Sequence, residues 1–152
     1  MADLPEVAIE GALLAEAQAF ANAQSLTIAM PYRPFTPPAD KSTVNGATVY
    51  GKWLRATYLP ADTETLGLGE NDANKHYGYL QIDVFYAQGA GELAPARIAA
   101  AAIAYFPRNV AISRDGFKLE IIKQPYRAPA IKDDPWVMIP VRIAFCCFAN
   151  PA

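Results

Sequence analysis

Residues 82–94, "IDVFYAQGAGELA", run from strand-like alternation through a glycine-rich corner into a helix-like stretch. Gly89, Gly91 and Ala94 keep the G-x-G-x-x-G/A spacing of a dinucleotide-binding loop, in which glycines let the backbone approach a pyrophosphate. That chemistry requires a central parallel strand, apolar on both faces, ahead of the loop. Here one face of the strand carries Gln81 and Asp83, and Glu92 would set a carboxylate where the pyrophosphate belongs. Glu92 instead complements the dipole of the helix it begins. The glycines are therefore expected to form a corner, and no cofactor is expected.

The other reactive side chains are sparse. His76 is the sole histidine, and none of Ser25, Ser42 and Ser113 sits in a nucleophile elbow, so a Ser-His-Asp or Cys-His arrangement has little to draw on. His76 is expected on the surface, at the end of an acidic loop. One histidine and two adjacent cysteines cannot complete a tetrahedral zinc site without carboxylates. Asp62, Glu64, Glu70 and Asp72 could attract a divalent cation, but lack EF-hand spacing and its bidentate Glu at position twelve. Cys146 and Cys147, neighbours on a strand, should point to opposite faces, one into the core and one to a surface or interface. No catalytic or metal-binding residue is expected.

Bulk properties point the same way. The chain has 152 residues, 53% apolar and 18% charged, which suits one globular domain able to bury a core without metal or disulfide. Thirteen Lys and Arg are scattered without a run, and the net charge is −2, which argues against a broad basic nucleic-acid face. No apolar segment is long enough to span a bilayer, and "MADLPEVAIEG" lacks the basic start and apolar core of a signal peptide. Synthesis in a cytoplasm is expected.

These residues must be positioned by a short series of elements. "DLPEVAIEGALLAEAQAFANA" predicts a helix capped by Asp3, with Glu6 completing a capping box and Pro5 in the first turn. Its inward face is Ile9, Leu13, Ala17 and Phe20, and Gly11 weakens it by about 1 kcal/mol relative to Ala. Strands follow at "SLTIAMPY", 52–60 and 77–87, separated by the Pro- and Gly-rich segment 34–51 and the polar loop 61–76. Long connections of this kind are usually functional or disordered. In strand 77–87, Leu80, Ile82, Val84 and Tyr86 share one face, with Tyr79, Gln81, Asp83 and Phe85 on the other.

"GELAPARIAAAAIAYFP" predicts a second helix with Pro95 in its first turn and Pro107 ending it, and Ile98, Ala102, Ile103 and Phe106 facing inward. "FKLEIIKQPY" and "PWVMIPVRIAFCCF" read as two more strands. Val137, Ile139, Val141, Ile143 and Phe145 line the core face of the last, and Pro140 marks an edge, bulge or break in it. The order α-β-β-β-α-β-β predicts an α+β fold, a mostly antiparallel β-sheet flanked by two helices. Of Trp53, Tyr58, Tyr77, Tyr79, Tyr126 and Trp136, half are expected in the core and half available as interface anchors.

"PYRPFTPPAD", "WLRATYLPA", "YGYLQIDVFYAQGAGE", "AYFPRN", "IIKQPYRAP" and "PWVMIPVRIAFCCF", in this order and spacing, resemble the tail terminator proteins of long-tailed bacteriophages, the group that includes the lambda tail terminator. The resemblance covers roughly residues 4–148. It implies a non-enzymatic virion protein that forms a ring, a hexamer, on the head-proximal end of the tail tube after assembly in the host cytoplasm. Its partners would be further copies of itself, the tail tube protein and the head-completion or connector protein. Genomic DNA would pass through without specific binding, and no membrane is involved.

A head-completion or neck protein is the nearest alternative, and a small ligand-binding or hydrolytic α+β domain a more distant one. Loop 61–76 and segment 34–51 are the expected contacts with tube or neighbouring subunits. Some of Asp62, Glu64, Glu70 and Asp72 are expected to face the lumen or an axial interface.

Overall fold

The computed structural model describes residues 4–150. In chain order it contains α1 (Pro5–Ala23), β1 (Ile28–Ala29), β2 (Lys41–Val44), β3 (Ala47–Tyr50), β4 (Lys52–Pro60), β5 (Glu64–Thr65) and β6 (Asn74–Ala87). Then come α2 (Leu93–Tyr105), β7 (Ala111–Arg114), β8 (Phe117–Ile121), β9 (Tyr126–Arg127), β10 (Ile131–Asp133) and β11 (Trp136–Ala149). The α+β architecture expected from the sequence is present: a largely antiparallel sheet with two helices. Its path is β1-β4-β6-β11-β8-β7, with β5 added on β6 and β9 and β10 on β11. Among the described residues the one parallel pairing in that sheet joins β1 to β4.

Alternation builds the sheet's centre. β6 and β11 pair over their whole length, from Asn74 opposite Ala149 to Ala87 opposite Trp136. Leu80, Ile82 and Val84 meet Leu54, Ile139, Val141, Ile143 and Phe145 on one face, where helices cover them. α1 rests on β4, β7 and β8, and α2 on β6, β9 and β11. Ile9, Leu13, Ala17 and Phe20 are fully buried, as their spacing requires. Each large side chain contributes about 2 kcal/mol of transfer free energy at most.

On α2 the buried residues are Pro95, Ala99 and Ala102, followed by Phe106 just past the helix. Ile98 and Ile103 are only partly buried against the core, since the helix's most buried stripe runs through Pro95, Ala99 and Ala102. Tyr86, the last residue predicted on the core face of β6, is half-buried at the strand's end.

The ends of α1 differ from the sequence expectation. The Asp3 cap falls outside the described residues, and Leu4 occupies the cap position with no side-chain bond. The other end closes on Ser25, at φ 55°, where a glycine is more usual. Leu26 N–H donates to Ala21 and Ser25 N–H to Asn22, the paired bonds that satisfy a helix's last carbonyls.

Two hairpins escaped the sequence reading. β2 and β3 pair only with each other, joined by Asn45-Gly46 with φ 52° and 79°. Both central residues have positive φ, the type I′ geometry that matches strand twist. β7 and β8 turn on Asp115-Gly116 in the same way, with φ 51° and 82°. Pro140 breaks neither β11 nor its pairing with β6, where it lies opposite Asp83; it falls instead at a gap in the pairing on the strand's other side. It lies in β11 between the stretches paired by β10 and β9, so its missing N–H costs no ladder bond, while its carbonyl accepts from Ala128 at 2.8 Å.

Candidate functional site

The sheet's second face, opposite the helices, is closed by side chains alone. At one end Trp53 stacks on Phe85, with ring centroids 3.9 Å apart and planes within 3°, and Trp136 meets Trp53 edge-on at 6.0 Å. Phe35 tilts over Trp53 at 5.0 Å, so part of segment 34–51 folds back on the sheet. Trp53 Nε1 is buried with no hydrogen-bond partner.

Next along this face comes a polar chain across three strands. Arg142 Nε donates to Gln81 Oε1 at 3.2 Å, Gln81 Nε2 to Asp83 Oδ1 at 2.8 Å, and Arg55 Nε to Asp83 Oδ2 at 2.9 Å. Asp83 is fully buried, whereas the Arg55 side chain is 44% exposed. A carboxylate so placed is affordable only with charged and hydrogen-bonded partners on both oxygens. Gln81 and Asp83 on this face suit a half-exposed strand; burial of Asp83 and Phe85 shows that the part toward Ala87 is instead sealed. Toward the far end Tyr79 and Tyr77 remain half-exposed under Lys123 and Lys75 respectively.

Cys146 and Cys147 do point to opposite faces of β11, but both are buried, so Cys146 is not the surface residue expected of one of them. Burial pushes both thiols up from their ordinary value. For Cys146 Lys75 pulls the other way; for Cys147 the neighbouring Cys146 adds to the rise. His76 is likewise corrected. It lies on β6 opposite Cys147, buried, with Nδ1 3.4 Å from Thr63 Oγ1. β6 extends three residues further toward the N-terminus than its apolar alternation indicated, and that carries the histidine inward. Tyr58, on the helix side, is pushed up to about 12 by burial first, then by Glu10 and Glu6.

Gly89 and Gly91, with φ 97° and 91°, form the corner between β6 and α2. β6 is antiparallel to both β4 and β11, so the loop lacks the parallel setting of a dinucleotide fold. The corner does border a feature the sequence did not reveal, an open groove of about 1030 Å³ between the start of α2 and the segment carrying β9 and β10. Pro95, Ala96, Ala128, Val137 and Ile139 give it an apolar floor, and Glu92, Arg127 and Lys132 stand at its rim. No local spacing signals such a groove, because its walls come from positions some 40 residues apart.

The predicted site residues lie at the other end of β6. Asp62, Glu64, Glu70 and Asp72 are all exposed. β5 ties the loop's base to β6, with Glu64 opposite Lys75. Asp72 Oδ2 accepts from Gly69 N–H at 2.8 Å and packs so tightly on Gly67 that a Cβ there would lie 2.1 Å from it. The loop is thus shaped rather than slack, and it holds Leu66 and Leu68 out into solvent, Leu68 entirely. The β2–β3 hairpin also stands free, with Val44 and Val49 about half-exposed on one side.

Of the six flagged aromatics, Trp53 and Trp136 are buried and Tyr58 packs on the core; Tyr77, Tyr79 and Tyr126 remain accessible. Among the described residues no three His, Cys, Asp or Glu side chains gather as a metal site would need. What the molecule offers is a set of dissimilar projecting and recessed surfaces.

A solved structure, whose name states no function, superposes with a TM-score of 0.74 over 99% of this chain and 100% of its own, at 22% sequence identity. That likeness shows the fold. No curated protein matches the chain. Residues 8–145 match the family model for phage tail terminator proteins. The chain therefore belongs to the phage tail terminator family, structural components of the virion tail.

Proposed function

We propose that this protein forms a ring, six copies around, that caps the head-proximal end of the tail tube, halts tube polymerisation and presents the surface to which the head joins. Family membership across residues 8–145 is the observation that carries the reading. The geometry supports it: a ring of identical subunits needs two unlike patches that fit each other, closing after a fixed rotation. A shaped acidic loop, a free hairpin and an open groove are unlike patches of this kind.

The tube protein and the connector or head-completion protein are the partners proposed beyond the ring itself. Asp62, Glu64, Glu70 and Asp72 are assigned to an interface or to the lumen. In the lumen their charge would offer DNA phosphates no cationic side chains to displace their counterions, so the genome would pass without adhering. The test is to polymerise tube protein with and without this chain and image the ends. Blunt rings at one end of short tubes are expected; long tubes with bare ends in both samples would refute the reading.

A further inference from the structure

We infer that loop 62–72 of one copy docks in the groove beside α2 of the next copy, with Leu66 and Leu68 against its apolar floor and the loop's acids facing Arg127 and Lys132. This assignment rests on the ring reading above and gives its subunit contact. Three observations lead to it.

The first is shape and polarity. The groove has an apolar floor, while Leu66 and Leu68 are 49% and 108% exposed on a loop held in form by Asp72. Exposed leucines on a preformed loop cost little ordering entropy when they bind, and removing their apolar surface from water favours the docked state.

The second is charge. Among the groove's lining residues Arg127 and Lys132 stand against Glu92, a neighbouring depression sharing Leu93, Ala96 and Arg127 adds Arg97, and Asp134, just outside the lining, is engaged by Gln88. The loop carries four acids, of which Asp72 is partly engaged with Gly69. A net-positive rim and a net-negative loop attract, whereas the loop would be repelled by a second copy of itself.

The third is placement. The loop leaves β4 at Pro60 and enters β6 at Asn74, while the groove opens at the Ala87 end of β6. Fourteen strand residues separate the two by about 40 Å. A loop anchored at both ends of residues 61–73 reaches roughly 20 Å, so it cannot fill its own groove. The occupant is another copy, and because loop and groove differ, the contact is head-to-tail and can close into a ring.

The test uses the full chain carrying Leu68→Cys and Ala128→Cys, oxidised both free and in the presence of tail tubes. Native Cys146 and Cys147 are buried and do not compete. A ladder of covalent oligomers is expected, ending in one closed species, with none from a control carrying Leu68→Cys and Val44→Cys. Absence of the ladder in both settings, or an equal ladder in the control, overturns the docking. Leu68→Asp provides a second arm. Because Leu68 is fully exposed in the subunit, the variant's melting temperature at concentrations where the chain is monomeric should stay unchanged while self-association weakens about tenfold or more; unchanged association overturns the docking too. If Leu68→Asp protein still caps tubes and no ladder forms, the docking fails while the capping function stands. If the ladder forms but tubes grow unchecked, the docking stands and the capping function falls.

Discussion

Arg55 and Asp83 show how unequal two partners of one ion pair can be. Asp83 has no access to water, while Arg55 reaches solvent with nearly half its side chain. Removing the arginine strands a buried carboxylate with Gln81 alone; removing the carboxylate lets the guanidinium turn outward and rehydrate. Arg55→Ala should therefore cost about 3 kcal/mol and Asp83→Ala distinctly less, measured by urea unfolding of each variant. Equal losses would contradict the burial asymmetry.

Tyr58 yields a pH signature. Its hydroxyl is held neutral up to about 12 in the fold, chiefly by burial, against 10 when unfolded. Between those values the unfolded chain has given up this proton and the folded chain has not. The tyrosine's contribution is therefore present below pH 10 and is lost as pH rises toward 12. Tyr58→Phe should flatten the fall of stability over that window, read from unfolding midpoints at pH 9.5 to 11.5. An unchanged slope would show that Tyr58 is not shielded.

At the scale of elements, periodicity was legible and turn chemistry was only half read. α1, α2, β4, β6 and β11 follow directly from helical or alternating spacing of apolar residues whose buried faces match: Ile9, Leu13, Ala17 and Phe20 on α1, and Ile139, Val141, Ile143 and Phe145 on β11. The β2–β3 hairpin was equally legible from Asn45-Gly46, but its strands are too short and too exposed to alternate, so composition suggested a loop. Buried His76 and the sealing of the sheet's second face around Asp83 and Phe85 were not legible, because they depend on which strands lie alongside. The acidic loop stood out by length and charge; the groove did not, since its walls meet only in the fold.

Glycines at two positions test the elements in opposite directions. On α1, a methyl at Gly11 would meet only the end of the Arg114 side chain at 3.2 Å, which lies exposed on the edge strand β7 and can move. Gly11→Ala should raise stability by up to about 1 kcal/mol, seen as a higher melting temperature. On β6, a methyl at Gly78 would sit 2.3 Å from the Leu59 carbonyl, which is backbone and cannot yield cheaply. Gly78→Ala should destabilise by roughly 2 kcal/mol or more and loosen the root of the acidic loop, visible as faster amide exchange in residues 61–73. A neutral Gly78→Ala would mean that β4 and β6 do not cross there so closely.

As a whole, the molecule spends its chemistry on closing one sheet and leaves its unlike surfaces for other chains. The helix-covered face carries the main core, and the opposite face is sealed over part of its length by stacked aromatics and by an ion pair whose carboxylate, Asp83, is buried. The acidic loop, the free hairpin and the groove beside α2 lie outside both. Family membership gives these surfaces a setting, the virion tail, and the proposed ring gives them partners. The central claim, that the protein acts by fitting surfaces that end a growing tube, is tested most directly by the length distribution of tails assembled with and without it, counted by electron microscopy. One sharp length in its presence and a broad distribution of overlong, headless tubes in its absence are predicted; the same sharp length and normal head attachment without it would contradict the account.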